Sequence, residues 1–399
     1  MNIFKSIYCR IYQTCFRIAL PFLPYRQPKI LESNDELTEM LKSKNLSRPL
    51  LVTDKTIRGL GLTSNIEQKL KESNINVFVF DDVFPNPTIS LIENGLNEYL
   101  KNNCDSIIAL GGGSVIDCAK IIGARSVKPN QPVAKMKGLL KICKTLPTFI
   151  AIPTTAGTGS ETTLAAVITD DKTHHKYPIN DFSLIPHFAL LDYNLILGLN
   201  PYITSTTGMD ALTHSVEAYI GQSTTPQTRR CAIESIKLIN ENLSLSYRDG
   251  SNQEARQNML KASYLAGVAF TKSYVGYIHA IAHSLGGKYG IPHGLANAVI
   301  LPIMLRHYGK YVHKKLSKLA KLTGIANDLD SKEIASEKFI AWIEGLNKEF
   351  NIPNKFEQLK EDDILELSSI ADKEANPLYP VPRLFDQKEL AEIYKKLIK

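Results

Sequence analysis

The chain has no CxxC pair and no disulfide-like spacing among its six cysteines, Cys9, Cys15, Cys104, Cys118, Cys143 and Cys231. Scattered thiols fit a reducing compartment and exclude a small fold stapled by disulfides. No apolar run reaches the roughly 18–20 residues that a bilayer-spanning helix needs. No stretch of lysines and arginines interleaves with aromatics, and a formal charge of +7 is mild for 399 residues. Nucleic acid is therefore not an expected partner. Internal repeats and low-complexity tracts are missing as well. What is present is an apolar fraction of 44%, enough at this length for two well-packed domains in a cytoplasmic setting.

One end differs from the rest. Residues 1–31 hold no acid and five Lys or Arg, with Phe4, Ile7, Tyr8, Ile11, Cys15, Phe16 and Ala19 near helical spacing. Such a segment reads as a membrane-surface helix or a transit segment. It also reads as an amphipathic basic arm packed on the body or on a partner subunit, and the arm is the favoured reading over 1–27. A secretory signal fits poorly because Arg10 and Arg17 break the apolar core.

Beyond the arm, PLLVTD, NVFVFDD, SIIALGGG, PTFIAIPTT and FALLDYN are aliphatic runs ending in turn residues, as in a buried, mostly parallel sheet. After about residue 200 periods near 3.6 take over, as in RRCAIESIKLINENL and QNMLKASYLAGVAF. The expected architecture is an α/β N-terminal domain over 28–199 and an all-α C-terminal domain over 200–399, with an active-site cleft between them.

SIIALGGGSVIDCAKIIGAR reads as strand, glycine turn and helix. Gly111, Gly112 and Gly113 let the backbone bend and approach a ligand, Ser114 offers a hydroxyl, and the helix N-terminus favours a pyrophosphate. The spacing is not GxGxxG, and a packing role for the glycines is the alternative. IPTTAGTGSETT follows the next strand and adds Thr154, Thr155, Thr158 and Ser160. Two such loops on neighbouring strands suit a dinucleotide, which makes this a nucleotide-binding domain. Asp54, ending the first strand, either accepts from an adenosine ribose, favouring NAD over NADP, or caps the helix that begins at Lys55.

The helical half carries the metal chemistry. Asp210 and His214 in TGMDALTHSVEAY share a helix face, as do His279 and His283 in YIHAIAHSLGGKYGIPHGLANAV, and a Gly/Pro turn returns the chain to His293. Imidazoles with one carboxylate suit Fe(II) or Zn(II) and not calcium or magnesium. Spacing alone does not choose between His279 and His283 as a ligand. Core histidines beside an Asp–His helix pair are the alternative for either segment taken singly.

With these motifs the chain resembles the iron-containing (group III) alcohol dehydrogenases, which share the dehydroquinate-synthase-like fold. The resemblance runs from about residue 28 to the C-terminus and rests on PNPT (85–88), GGGSVIDCAK (111–120), IPTTAGTGSE (152–161), GMDALTHSVEAY (208–219) and HAIAHSLGGKYGIPHGLANA (279–298). It implies metal ligands at Asp210, His214, His279 and His293, and a His283 that faces nicotinamide and substrate. One turn from a ligand, with an imidazole suited to shuttling protons at neutral pH, His283 is the catalytic candidate for relaying the hydroxyl proton. It places cofactor contacts on Asp54, Asn86, Gly112, Gly113, Ser114, Thr154, Thr155, Thr158, Thr163 and Lys176. It also implies a homodimer, with Fe(II) as the metal, although the same donors would take zinc. Residues 1–27 extend beyond the shorter members of the family, and no ligand position is substituted.

The expected reaction is hydride transfer between nicotinamide C4 and a small alcohol or aldehyde polarised by the metal. Leu212, Ala280, Ile281, Leu285, Ala165 and Ala166 around the motifs favour a little-charged substrate. The alternatives are a hydroxyacid–oxoacid transhydrogenase holding its NAD tightly, or an NAD- and metal-dependent lyase of the same fold, which needs a basic pocket for a phosphorylated substrate. A non-catalytic metal-binding protein is disfavoured by the two cofactor loops.

Overall fold

The computed structural model describes residues 1–173 and 176–399. It forms two compact units: Pro24–Leu197 is one, and Met1–Leu23 with Gly198–Lys399 is the other.

The chain opens with α1 (Ile3–Ala19), which belongs to the second unit. The first unit runs β1 (Lys29–Leu31), α2 (Asn34–Ser43), β2 (Pro49–Val52), α3 (Lys55–Gly59), α4 (Ser64–Glu72), β3 (Phe78–Phe80), α5 (Ile89–Lys101), β4 (Ser106–Gly111) and α6 (Gly113–Val127). It continues with β5 (Gly138–Leu139), β6 (Thr148–Pro153), β7 (Ala165–Thr169), β8 (Lys176–Asn180) and β9 (Phe188–Leu190). Six strands form one sheet in the order β1-β9-β6-β4-β2-β3. Every pair in it is parallel, with Ile107 opposite Phe149 and Ile108 opposite Ile150. Parallel strands need crossovers, and the helices that supply them bury both faces of the sheet. That is why β2 and β4 read as unbroken apolar runs and are buried at every residue. Successive side chains alternate between two cores: Ile107, Ala109 and Phe149 enter one, Ile108, Leu110 and Ile150 the other.

The five strands expected from the aliphatic runs are β2, β3, β4, β6 and β9 of this sheet. The sequence reading missed β1 and a second sheet, β5-β8-β7, whose strands are two to five residues long. In β7 and β8 buried residues alternate with exposed or half-buried ones, so no continuous apolar run marked them. After β3 at one edge the chain returns to place β4 on the other side of β2. This is a topological switch point, and ligands of open parallel sheets bind at the carboxyl ends of the strands there.

The fully buried Lys120 of α6 crosses this unit's interior. Its Nζ donates to Ser160 Oγ (3.1 Å), Thr163 O (3.0 Å), Thr163 Oγ1 (2.8 Å) and Ala165 O (2.8 Å). Asp117, one turn earlier, lies 4.0 Å from Nζ, and its carboxylate accepts from Ser160 Oγ and the Val167 N–H. One cation and one carboxylate thus pin the loop after β6 onto α6. Glu161 is buried beside them, and neither of its oxygens is hydrogen-bonded to a described residue.

The second unit adds α7 (Pro201–Ile220), α8 (Pro226–Arg248), α9 (Gln253–Ser273), α10 (Tyr277–Tyr289), α11 (His293–Tyr308), α12 (Lys310–Leu322), α13 (Lys332–Glu349), α14 (Ile364–Ala375) and α15 (Gln387–Leu397). Asn200 caps α7 and Pro201 occupies its first turn. From Gly208 to Ile220 every residue of α7 is buried, polar ones included, because α8, α9 and α11 pack around it. α1 docks on this unit with the face that looked least suited to it. Cys9 and Gln13 are buried, Arg10 donates to Val381 O and Pro382 O, and Gln13 donates to Tyr379 O. Phe4, Ile7, Tyr8 and Ile11, the apolar stripe of the sequence, stay exposed. Hydrogen bonds to loop carbonyls, the Lys5–Asp372 ion pair, buried Cys9 and the edge-on contact of Phe16 with Tyr274 at 4.9 Å hold the helix here.

Two outcomes follow from the buried charges. Lys120→Met strands Asp117 without its cation, and such a loss costs roughly 3–5 kcal/mol, to be read as a lower denaturant midpoint. Burial pushes the Glu161 carboxyl from 4.5 up to about 7. Between those values the folded chain holds a proton that the unfolded chain releases, so stability falls as pH rises through the window. Glu161→Gln should flatten that slope in denaturation curves measured across it, and an unchanged slope would assign the pH dependence elsewhere.

Candidate functional site

Three helices of the second unit bring four potential ligands together. Asp210 and His214 stand one turn apart on α7, His279 lies in the first turn of α10, and His293 opens α11 after Pro292. One ligand atom from each lies within 4.8 Å of all the others. Asp210, His214 and His279 are buried, while the His293 side chain is 39% exposed. His293 Nε2 is 3.5 Å and His279 Nε2 4.0 Å from Asp210 Oδ1. The His214 ring stacks on Phe270 at 4.1 Å and on His279 at 4.6 Å between centroids. Gly294 makes the approach of α11 to α7 possible, since a Cβ there would fall 2.4 Å from the Thr206 carbonyl oxygen.

The electrostatics of this cluster call for a cation. Burial raises the Asp210 carboxyl above its ordinary value, against the opposing pull of His214 and Asn297. Burial also holds His279 far below the ordinary imidazole range, reinforced by the neighbouring His214, His293 and His283. A divalent ion reverses both penalties, because it favours the carboxylate and the neutral imidazoles that would bind it. Three nitrogens and one oxygen are donors of the kind that iron or zinc takes. The residues present therefore fit the metal that the sequence motifs imply.

Sequence reasoning missed several neighbours. Asn297, one turn after His293, donates from Nδ2 to Asp210 Oδ1 at 2.7 Å and lies 3.2 Å from His279 Nε2 and 3.1 Å from His293 Nε2. Its spacing of four from a candidate ligand was a usable signal. Glu374 accepts from His283 Nδ1 at 2.6 Å and from Tyr379 Oη at 2.8 Å. No sequence signal ties Glu374 to a histidine 91 positions away. His283 itself is 41% exposed. Its ring stacks 5.1 Å from that of His293 and stands 6.0 Å from that of His279. Burial lowers its basicity, but Glu374 outweighs this and the net shift is upward.

In the first unit the glycine turn lies where the motif put it, at the carboxyl end of β4. Gly112 is the N-cap of α6, which has no side-chain cap, so its first N–H groups face outward to a ligand or solvent. A Cβ on Gly113 would meet Thr158 Cγ2 at 3.2 Å, so the two loops touch here. Asn86, with φ +63°, donates its backbone N–H to Ser114 Oγ at 3.4 Å. The Thr154 N–H donates to Gly111 O at 3.1 Å, and Thr155 and Thr158 are part-exposed beside it. Other sequence-derived candidates have structural work. Asp54 caps α3 by accepting from the Ile57 N–H at 2.8 Å. Thr163 is buried and its hydroxyl is held by Lys120. Lys176 is an exposed residue at the start of β8, paired with Thr169 in the small sheet.

Comparison with known proteins agrees with both halves. Residues 30–193 match the family described as iron-containing alcohol dehydrogenase. Residues 204–398 match the C-terminal region of the Fe-containing alcohol dehydrogenase family. The chain is 38% identical over 385 residues to the 1,3-propanediol dehydrogenase of Citrobacter freundii, an alignment that covers 96% of this chain and 98% of that protein. A solved 1,3-propanediol oxidoreductase superposes with a TM-score of 0.89 at 36% identity, covering 94% of this chain and 98% of the other. The sulfoacetaldehyde reductase of Bifidobacterium kashiwanohense, solved in complex with NAD+, gives 0.82 at 28% identity over 94% of this chain and 98% of its own. With the ligand cluster in one unit and the glycine turn in the other, the chain belongs to the iron-containing alcohol dehydrogenases, oxidoreductases that act on CH–OH groups.

Proposed function

We propose that the chain interconverts a small, little-charged alcohol and its aldehyde, using NAD(H) and a divalent iron held by Asp210, His214, His279 and His293. The observation that carries this reading is the convergence of those four ligand atoms within 4.8 Å in a chain of this family. Relatives named 1,3-propanediol dehydrogenase and lactaldehyde reductase point to short hydroxylated substrates.

The ion, when bound, supplies Lewis acidity at a substrate oxygen. The cofactor supplies or accepts hydride at nicotinamide C4. The chain does the rest. The N-terminus of α6, with Gly112, Gly113 and Ser114, offers N–H and hydroxyl donors for a pyrophosphate, and Thr154, Thr155 and Thr158 add hydroxyls from the touching loop. Asn86 holds Ser114, and Asp54, two residues past β2, has a second oxygen for a ribose, a carboxylate that would repel the 2′-phosphate of NADP. Thr163 shapes the loop, and Lys176 adds positive charge on the small sheet. Glu374 fixes His283 through Nδ1, leaving the other ring nitrogen to exchange the hydroxyl proton. A homodimer and a cytoplasmic setting belong to the same reading. The exposed Phe4, Ile7 and Ile11 of α1 offer surface for a second copy, and the six free cysteines suit a reducing compartment.

The test is NADH oxidation with a panel of short aldehydes, using protein purified without oxygen, stripped of metal and reloaded with Fe(II) or Zn(II). Activity should return with Fe(II) and decay in air. Silence with every metal and aldehyde despite measurable NADH binding would sink the dehydrogenase reading in favour of the transhydrogenase or the lyase. His283→Ala should lower kcat by roughly 10²–10⁴-fold at unchanged metal content. Loss of metal in that variant would show instead that His283 is a ligand.

A further inference from the structure

Glu217 lies on α7 three residues after His214 and is 4% exposed. Its carboxylate gathers three donors from the start of α10. Oε2 accepts from the Gly276 N–H at 2.8 Å and from His279 Nδ1 at 2.6 Å, and Oε1 accepts from the Ile278 N–H at 3.0 Å. α10 has no capping side chain of its own, so it borrows its cap from α7. The fit leaves no slack. A Cβ on Gly276 would stand 2.5 Å from Glu217 Oε1.

One consequence reaches the metal cluster. Three donors converge on these two oxygens, and with Glu217 ionised its carboxylate can only accept, so the proton of the neutral His279 ring then sits on Nδ1 and Nε2 is left bare. That Nε2 is the atom turned toward Asp210 Oδ1 and Asn297 Nδ2. Because the same carboxylate also fixes the backbone from Gly276 to Ile278, it sets the position of the ring as well as its tautomer.

We infer that Glu217 is a positioning residue of the metal centre: it holds His279 with Nε2 deprotonated and aimed at the ion, and strengthens that nitrogen as a donor. This rests on the metal reading given above. Outer carboxylates of this kind typically contribute 10–100-fold to metal affinity. A helix cap and nothing more would affect folding while leaving the affinity of the folded protein alone.

The experiment separates the two. Metal-free wild type, Glu217→Gln and Gly276→Ala are titrated with Zn(II) against a fluorescent chelator, and thermal unfolding and NADH binding are recorded for each without metal. Glutamine keeps the volume and one acceptor but not the charge; the alanine keeps the carboxylate but displaces it. Both variants should bind Zn(II) roughly 10–100-fold more weakly while still binding NADH and unfolding cooperatively. Wild-type Zn(II) affinity in either folded variant overturns the proposal. If Glu217→Gln does not fold, Gly276→Ala alone decides. Asp210→Ala serves as the control: if it binds Zn(II) as wild type does, the metal reading fails, whatever Glu217 does.

Discussion

Three imidazoles and a carboxylate lie within 4.8 Å of one another, with three of the four side chains shut away from water. Left to themselves they would exact a desolvation penalty at every one of the buried groups. The second unit is organised around keeping them there. α7 carries two of them and is buried from Gly208 onward, so its polar residues bond within the helix, to neighbouring helices or toward the cluster. Thr213 bonds back to the Met209 carbonyl, Ser215 bonds Ser235, and Glu217 reaches α10. Glycines at 276 and 294 allow α10 and α11 to come close enough to add the third and fourth ligands. A buried dication would unify these features, since it makes the carboxylate and the neutral rings the favoured states.

The first unit handles buried charge differently. Lys120 has no ion to bind; its four hydrogen bonds join α6 to the segment from Ser160 to Ala165. The helix whose N-terminus would meet a pyrophosphate and the loop whose hydroxyls lie beside it are therefore tied together. Thr163 is part of that brace, which explains why a residue of the motif is buried and not offered to solvent.

Much of this was legible in the chain. Aliphatic runs ending in turns located five of the six strands of the main sheet, because a strand buried on both faces must be apolar throughout. Helical spacing put Asp210 with His214 and His279 with His283, but it could not say which of the latter pair was turned inward; the family resemblance assigned His279, and the structure seats that ring beside Asp210 and Asn297. Other features depended on contacts with no local trace. Glu374 meets His283, and the α1 side chains meet carbonyls near Val381, only once the chain has folded. The apolar stripe of α1 was misleading for the same reason. Periodicity reports which residues share a face, not which face finds a partner.

The cluster is also asymmetric. Asp210, His214 and His279 are enclosed, whereas His293 stands at the start of its helix with 39% of its side chain open to solvent. An ion held there would therefore meet three donors closed off from water and one that water can reach. Affinity and exchange would then have different origins, the first in all four donors and the second in the one side that water reaches. Which metal the protein carries would then depend on the ions that reach that side as well as on the donors themselves.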